Sequence, residues 1–493
     1  MAGRFSDAVA PDLGGILATV LVFGGAFLIW NATAHLSGAP QPSIESQFGD
    51  LDGGAPEEGK TETTAADGGV RAPGSPPDRK PVQVSSSLSG KTYNVILISV
   101  DTLRADLGFM GYPRQVSPNI DAFAAKSVVF ERAYAMASFT PKCLGPLMIG
   151  RYSSETYRDY EHYTKFGTEN TFLAERIHNA GGRSAAAMCH RYFGWKKGLD
   201  QGFDIWDTSS IPPNSPDNDP TPTSEKLTDT AISLLSSPRG ADIPTRGGKA
   251  AVTTGKPNGR FFAWFHYLDP HLPYVGHEGT PNFANMGGAG IPPQRAPYDG
   301  EVWFTDKHVG RLLAHIQAQP WASETAIIFT ADHGEAFGEH AHWGHGRELW
   351  EVLVHVPLIV QIPGVGPRRI QTRRSHVDVV PTVLDLMGIP NDDPGLHGKS
   401  LAKDIATPGA LEEHDIYIDM PDGPYNDMRR SVITGAGAGL KLIEMQGGGS
   451  LLYDLNADPK ETKNIASDSA RMKEAKEAMA RVRATVKELP PTR

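Results

Sequence analysis

The sequence NVILISV, at Asn94–Val100, is a continuous apolar run that ends directly in Asp101. A strand that is hydrophobic on both faces is typical of the buried interior of a parallel sheet. Four later runs have the same character and predict further buried strands: RSAAAMC (183–189), RFFAWFHY (260–267), TAIIFTAD (325–332) and VPLIVQI (356–362).

Helical patterns separate these runs: Asn119–Lys126, Thr171–Ala180, Ser224–Leu235, Tyr298–Gln319 and Asp378–Met387. Strands that alternate with helices predict an α/β fold, a doubly wound sheet with helices on both faces. Ligands of such folds collect beyond the carboxyl ends of the strands. The tail differs, because SVITG, LKLIEM and LLYDL predict a small antiparallel sheet and Ser467–Leu489 a closing helix. We therefore expect a small C-terminal α+β region.

The composition excludes several classes of protein. The chain has 493 residues, 39% of them hydrophobic and 21% charged, which is enough for a large core and excludes wholesale disorder. Its net charge of −10 lacks the basic field of a nucleic-acid binder, so no nucleic-acid partner is expected. Its 2 cysteines, Cys143 and Cys189, exclude a disulfide scaffold and a four-cysteine zinc site, and leave open whether they pair with each other.

The N-terminal part contains an uncharged apolar stretch, LGGILATVLVFGGAFLIW, at Leu13–Trp30. A helix of this length covers about 27 Å, close to the roughly 30 Å hydrocarbon core of a bilayer. Ala32-Thr33-Ala34 resembles a signal-peptidase site, so residues 1–34 are a membrane anchor or a signal segment. We expect an uncleaved anchor and a folded body outside the cytoplasm, or a secreted protein if the segment is cleaved. Residues 35–92, rich in Pro, Gly and acidic residues, predict a flexible tether.

Polar residues stand where the predicted strands end. Asp101 follows one strand and Asp332-His333 follows another, and two carboxylates with an imidazole form a ligand set for a divalent metal. A lone Asp in this position is commonly a turn or a helix cap, but two strand ends that share one crevice are more informative. Histidines recur in DHGEAFGEHAHWGHG (332–346), whose glycines indicate a loop, and in HYLDPHLPY (266–274).

These blocks, in their order, resemble the sulfatase family of the alkaline-phosphatase superfamily. The resemblance rests on ILISVDTLRAD, SPNIDAFAAKSVVFERAYA, LMIGRY, HYLDPHLPY, FTADHGEAFGEH and LYDLNADPKETKNIA, and it runs from about Tyr93 to Ile465. It implies an alkaline-phosphatase-like fold and a metal-dependent hydrolase of sulfate-type or phosphate-type esters. Residues 93–405 would form the catalytic domain, with a surface insertion at 236–259, and residues 406–493 a C-terminal subdomain.

The chain departs from the family at the nucleophile. Sulfatases carry Cys or Ser in the motif C/S-x-P-x-R, and its modification gives formylglycine. Here the segment reads TPKCLGPLMIGR (140–151), so the nucleophile position falls on Thr140 and the arginine position on Leu144. Cys143 does not restore the motif in another register, because no proline or arginine follows it at the required spacing. We therefore do not expect formylglycine.

Thr140 is nevertheless a candidate nucleophile. A threonine hydroxyl beside a divalent metal can attack phosphorus directly. Asp101, Thr140, Asp332 and His333 together resemble the single-metal site of threonine-using relatives, which act on phospho-groups. The alternative is that Thr140 only caps a helix, since Thr-Pro is a favourable start. The resemblance implies one divalent metal and does not distinguish Ca²⁺, Mn²⁺ and Zn²⁺.

Other roles follow from position in the family's blocks. His271 matches the histidine that touches the transferring group, and His345 stands where many sulfatases have a substrate-binding lysine. His345 could bind the oxyanion or protonate the leaving group. Arg104 could neutralise an anionic substrate or anchor its loop, and Lys142 and His190 are further candidates for substrate binding.

The leading hypothesis is a membrane-anchored hydrolase of an anionic ester, with phospho-esters favoured by Thr140. The substrate would be a sulfated or phosphorylated small molecule, glycan or lipid headgroup. One alternative is a transferase that moves a phospho-headgroup to a surface glycan. Another is a degenerate family member that only binds anionic surface polymers, suggested by the loss of both motif residues.

Overall fold

The computed structural model describes residue 88 and residues 90–491, apart from 161–164, 195–197, 214–218, 237–259, 289, 407–410, 436 and 438. The predicted anchor at residues 1–34, nearly all of the tether and nearly all of the 236–259 insertion lie outside the described residues. Within the described part of the chain, no helix is both long and apolar enough to cross a bilayer.

The strands of the described residues are numbered in chain order: β1 Asn94–Val100, β2 Val128–Tyr134, β3 Arg183–Met188, β4 Ile205–Asp207, β5 Phe261–Tyr267, β6 Thr325–Ala331, β7 Ala336–Phe337, β8 Trp343–Gly344, β9 His355–Gln361, β10 Arg368–Ile370, β11 Arg374–Ser375, β12 Ile416–Met420, β13 Arg429–Ile433, β14 Leu440–Met445 and β15 Ser450–Asp454. The α-helices are α1 Pro118–Ala124, α2 Thr140–Ile149, α3 Leu173–Asn179, α4 Ser224–Ser236, α5 Arg295–Gln317, α6 Glu351–Val354, α7 Val379–Met387, α8 Ala402–Ala406 and α9 Ser469–Arg483. The predicted strands and helices are all present, with ends shifted by a few residues.

The large sheet has the order β10-β2-β9-β6-β1-β5-β3-β4, and β11 also pairs with β2. β1 lies near its centre and is parallel to both neighbours, β5 and β6. The run at 356–362 is buried as predicted, but as β9 it lies antiparallel between β6 and β2. The reason is that no long helix carries the chain back after β6. The chain turns at the carboxyl end of β6, and β9 starts from that same end.

Helices cover both faces of this sheet, as the sequence predicts. Alternate side chains of β1 enter two different hydrophobic clusters, Val95 and Leu97 in one, Ile96 and Ile98 in the other. The first cluster includes residues of α2, α3 and α7, and the second includes residues of α1, α4 and α5. A strand that is buried on both sides needs an unbroken apolar sequence, which accounts for NVILISV.

The predicted C-terminal sheet is also present, with the antiparallel order β12-β13-β14-β15. Tyr417, Val432 and Leu442 on one face pack with α9 side chains in the same cluster that contains α2 and α7. Ile416, Ile418, Ile433 and Ile443 on the other face pack against Leu353 and Val354. The small sheet therefore shares hydrophobic clusters with the large sheet and its helices.

A buried ion cluster joins the small sheet to the rest. Lys441 on β14 lies 2.9 Å from Glu351 and 2.9 Å from Glu461, and it is completely buried. Burial opposes the charged form of Lys441, but the two glutamates raise its pKa above the ordinary value. Burial also raises the pKa of Glu461, to about 7. Removing the cation would leave two carboxylates inside the protein without the positive charge that compensates them.

We expect Lys441→Met to lower the stability of the protein by about 3 kcal/mol, because breaking a buried ion cluster on one side leaves uncompensated charge. The measurement is the free energy of unfolding in urea. The matched control is Lys473→Met on α9, whose side chain is 80% exposed beside Glu477, and which should change stability by less than about 0.5 kcal/mol. Equal effects of the two substitutions would contradict the assignment.

Candidate active site

The proposed metal ligands lie together at the carboxyl ends of β1 and β6. Asp101 and Asp332 directly follow these adjacent parallel strands, and Asp332 N donates to the Val100 carbonyl at 3.3 Å, which continues the pairing past the strand ends. One ligand atom each from Asp101, Asp332 and His333 lies within 4.8 Å of the others. His333 Nε2 is 3.5 Å from Asp332 and 3.8 Å from Asp101.

The electrostatics of this cluster favour a bound cation. Burial raises the pKa of Asp332 well above its ordinary value, and the charge of Asp101 adds to the effect. Burial opposes ionisation of Asp101 too, but His266, His271 and His333 hold its pKa below the ordinary value. Asp332 Oδ2 is buried and makes no hydrogen bond with the described residues. Two carboxylates and an imidazole with an unpartnered oxygen fit one divalent metal, and these donors suit Ca²⁺, Mn²⁺ or Zn²⁺.

Backbone geometry supports Asp332. The amide of Thr102 donates to Asp332 Oδ1 at 3.1 Å, and the amide of His333 donates to the same oxygen at 2.7 Å. Thr102 adopts a φ of 52°, in the left-handed region that a β-branched residue rarely occupies. This turn aims the Thr102 amide into the site, so Oδ1 is held by the protein while Oδ2 remains without a partner.

Thr140 lies in the same cluster. Its Oγ1 is 3.0 Å from His333 Nε2 and 3.3 Å from Asp101 Oδ2. Thr140 is the first residue of α2, the N-cap is Phe139, and no side chain caps this helix. The alternative reading of Thr140 as a helix cap is therefore not supported, because its hydroxyl faces the carboxylates instead. The N-terminus of α2 adds a partial positive charge that favours anions.

Three further histidine rings form a row that starts at the proposed ligand His333. The ring of His345 lies 4.5 Å from that of His333 and 5.1 Å from that of His271, measured between centroids. His190 follows at 6.4 Å from His271. The structure thus brings together all three histidines that the sequence singles out for the transferring group or the substrate. His340, from the same sequence cluster, instead stacks on Trp350 at 4.0 Å.

Arg104 and Lys142 have other partners. Arg104 pairs with Asp106 at 2.8 Å and with Glu339 at 2.9 Å, and it donates to the Glu335 carbonyl, so its geometry fits the loop-anchoring alternative. Lys142 is 1% exposed and donates to the Pro421 carbonyl and to Asn426 Oδ1. Burial lowers its pKa to about 7. We therefore do not retain either residue as a substrate ligand.

Two residues of the site were given no role from the sequence. His266, on β5, places Nε2 3.4 Å from Asp101 Oδ2, and its Nδ1 is 2.8 Å from Ser99 Oγ. Glu335 lies 3.1 Å from His345 Nδ1, and His345 lowers its pKa despite complete burial. The signal for His266 was present, since a histidine near the end of an apolar strand is paired across from Ser99, two residues before Asp101. No sequence pattern pointed to Glu335.

The cysteines take no part in this arrangement. Cys143 and Cys189 are both buried and neither forms a disulfide. Burial raises the pKa of the Cys143 thiol well above its ordinary value, and Asp332 adds to this effect, so Cys143 stays protonated at neutral pH.

Removal of divalent metal is expected to destabilise the full-length protein. Re-addition should stabilise it by about 2.7 kcal/mol when the free metal is 100-fold above its Kd, because the cation compensates the Asp101–Asp332 pair. Asp332→Asn should abolish this metal-dependent rise in Tm without lowering the Tm in chelator, since it removes one of two repelling carboxylates. Exposed Asp229→Asn serves as the control. A metal-dependent rise that survives Asp332→Asn would contradict the ligand set.

Comparison with known proteins identifies the family. The family model described as "Sulfatase" matches residues 93–389, and that of the "N-sulphoglucosamine sulphohydrolase, C-terminal" region matches residues 338–488. The chain is 25% identical over 415 residues to an ulvan-active sulfatase of Formosa agariphila, covering 76% of each chain.

Two solved structures illustrate the likeness of fold. BT4656, in complex with its substrate D-glucosamine-2-N,6-O-disulfate, has a TM-score of 0.62 at 17% identity and covers 80% of this chain and 98% of its own. The phosphonate monoester hydrolase of Agrobacterium radiobacter has a TM-score of 0.59 at 20% identity, with coverage of 80% and 96%. The fold is therefore the alkaline-phosphatase-like α/β fold that the sequence predicts. With the family model covering more than half of its length, the chain belongs to the sulfatase family and is a hydrolase of sulfuric or phosphoric esters.

Proposed function

We propose that this protein is a metal-dependent phospho-ester hydrolase in which Thr140 is the nucleophile. The observation that carries the proposal is the position of Thr140 Oγ1, 3.3 Å from Asp101 and 3.0 Å from His333, at the start of α2. A hydroxyl in that place is suited to direct attack on phosphorus. The buried and protonated Cys143 offers no competing nucleophile.

The proposed reaction has two displacements. Thr140 Oγ1 loses its proton to solvent water and forms a bond to phosphorus, while the bond from phosphorus to the leaving oxygen breaks and His345 gives that oxygen a proton. Water then attacks phosphorus and gives a proton back to His345, the bond from phosphorus to Thr140 Oγ1 breaks, Thr140 regains a proton from solvent, and phosphate leaves. A divalent metal held by Asp101, Asp332 and His333 would lower the pKa of a hydroxyl and neutralise negative charge on the ester.

The surrounding residues position the substrate in this proposal. Glu335 beside His345 Nδ1 orients the ring for proton transfer. His271 and His190 lie next in the row of histidines and would donate to the non-bridging oxygens. The relatives named above act on sulfated glucosamine and on phosphonate monoesters, which supports an anionic ester as the substrate class.

The test compares the turnover of an aryl sulfate, an aryl phosphate monoester and an aryl phosphodiester by the full-length protein with added Mn²⁺, Zn²⁺ or Ca²⁺. Thr140→Ala should lower phospho-ester turnover by about 10³-fold or more, because the nucleophile is lost. Thr140→Ser keeps the hydroxyl and should retain activity. Cys143→Ala is the matched control on the same helix and should behave as the wild type.

Mass spectrometry of acid-quenched protein gives an independent reading. Incubation with the phospho-ester should add a phosphoryl group to the peptide that contains Thr140. Sulfate turnover that persists in Thr140→Ala, or an aldehyde at Cys143, would overturn the proposed mechanism.

The location of the enzyme is a second part of the proposal. The uncharged stretch Leu13–Trp30 supports an N-terminal anchor that holds the folded body outside the cytoplasm. Alkaline carbonate extraction of expressing cells should leave the full-length chain in the membrane fraction and release a chain that lacks residues 1–34. Release of both chains would contradict the anchor.

A further inference from the structure

A second cavity lies at the edge of the large sheet, away from Thr140. It has a volume of about 490 Å³ and is bounded by β2, by the start of β9, by the β10–β11 segment and by the turn after β15. Its polar lining consists mainly of Arg132, Tyr134, His355, Arg369, Arg373 and Asn456. Cavities of this size hold small organic ligands in other proteins.

Arg373 is a buried cation without a matching anion. Arg373 is 3% exposed. Its Nη2 donates to Asn456 Oδ1 at 2.9 Å, and its Nε makes no hydrogen bond with the described residues. The side chain also lies beside Tyr134. It forms no ion pair with a carboxylate of the described part of the chain. A buried guanidinium is costly unless an anion compensates its charge.

Arg132 donates to the same Asn456 oxygen as Arg373. Its Nη1 donates to Asn456 Oδ1 at 3.3 Å, so one neutral oxygen is shared by two guanidiniums. Like Arg373, Arg132 forms no ion pair with a carboxylate in the residues that the structure describes. Two positive charges at such short range repel each other, and a single amide oxygen does not neutralise them.

The carboxylates that line the cavity already have partners. Glu131 pairs with Arg369, which is exposed. Glu351 pairs with Lys441 at 2.9 Å and accepts from the Tyr134 hydroxyl at 3.3 Å. The other titratable group that faces the cavity is His355, whose Nε2 lies 2.8 Å from the Glu131 carbonyl. The cavity therefore has a surplus of positive charge from Arg132 and Arg373.

We propose that this cavity binds a tetrahedral oxyanion, a sulfate or phosphate group, either free or as the ester group of a larger molecule. Arg373 and Arg132 would hold it by charge-assisted hydrogen bonds, with guanidinium N–H groups that are suited to such oxygens. The site is distinct from that of Thr140, because β9 and β6 separate β2 from β1. Three strand spacings correspond to about 14 Å. The proposal does not depend on which ester the enzyme hydrolyses.

The test measures binding of sodium sulfate and sodium phosphate to the full-length protein in EDTA, at an ionic strength held constant with NaCl. We expect saturable binding by calorimetry and a rise in Tm. Arg373→Met should abolish both. Because it removes an uncompensated buried charge, Arg373→Met should not lower the Tm in chloride alone, whereas the loss of a purely structural arginine would lower it. Arg311→Gln, at an exposed arginine paired with Asp229, should bind as the wild type.

Arg132→Gln is the second variant if Arg373→Met does not fold. It should weaken binding by about tenfold or more, as expected for the loss of one charge-assisted hydrogen bond. A titration with phenyl phosphate distinguishes the sources of the group. If phenyl phosphate binds more tightly than inorganic phosphate and this binding is lost in the same variants, the site binds an ester. If the two affinities are equal, the site binds the free anion. Absence of saturable binding, or unchanged binding in both arginine variants, overturns the proposal.

Discussion

The electrostatic problem posed by Asp101 and Asp332 organises this structure. These carboxylates follow adjacent parallel strands in the centre of the large sheet, and both are buried. Two adjacent carboxylates in a low dielectric cannot both remain ionised without a cation. Three groups contact this pair: the imidazole of His333, the amide of Thr102 and the hydroxyl of Thr140. The proposed metal site and the position of Thr140 beside it therefore follow from one arrangement of strand ends.

Around that pair, charge is distributed so that each histidine has a different environment. Burial and the neighbouring His345 lower the pKa of His333 to about 4, which keeps its ring neutral and able to act as a ligand. His345, one ring further out, lies beside the fully buried carboxylate of Glu335. A neutral imidazole that can bind a metal and a second imidazole beside a carboxylate are arrangements that suit ester cleavage. These two environments are the ones on which the proposed phospho-ester hydrolysis depends.

Much of this could be read from the sequence, and the reason is local. Apolar runs such as NVILISV identify buried strands, and the residues that end them must lie at the edge of the sheet where ligands bind. Asp101, Asp332 and His333 were predicted as metal ligands in this way, and Thr140 was predicted as nucleophile by its register in a family motif. The antiparallel direction of β9 was not predicted, because a buried strand has the same apolar sequence whether it runs parallel or antiparallel to its neighbour.

The sequence by itself determined the element order and predicted the metal ligands and the absence of the family's Cys or Ser, because each depends on residues that are close along the chain or tied to a strand end. Only the tertiary structure decided which side chains share a space. Arg104 and Lys142 are close to site residues in the sequence. In the structure, however, Arg104 pairs with Asp106 and Lys142 donates to the 421–426 loop. His266 and Glu335 enter the site, and Arg132 meets Arg373 at Asn456, because the sheet brings distant segments together. Pairing of buried charge acts over a few ångströms in space, and sequence distance carries no information about it.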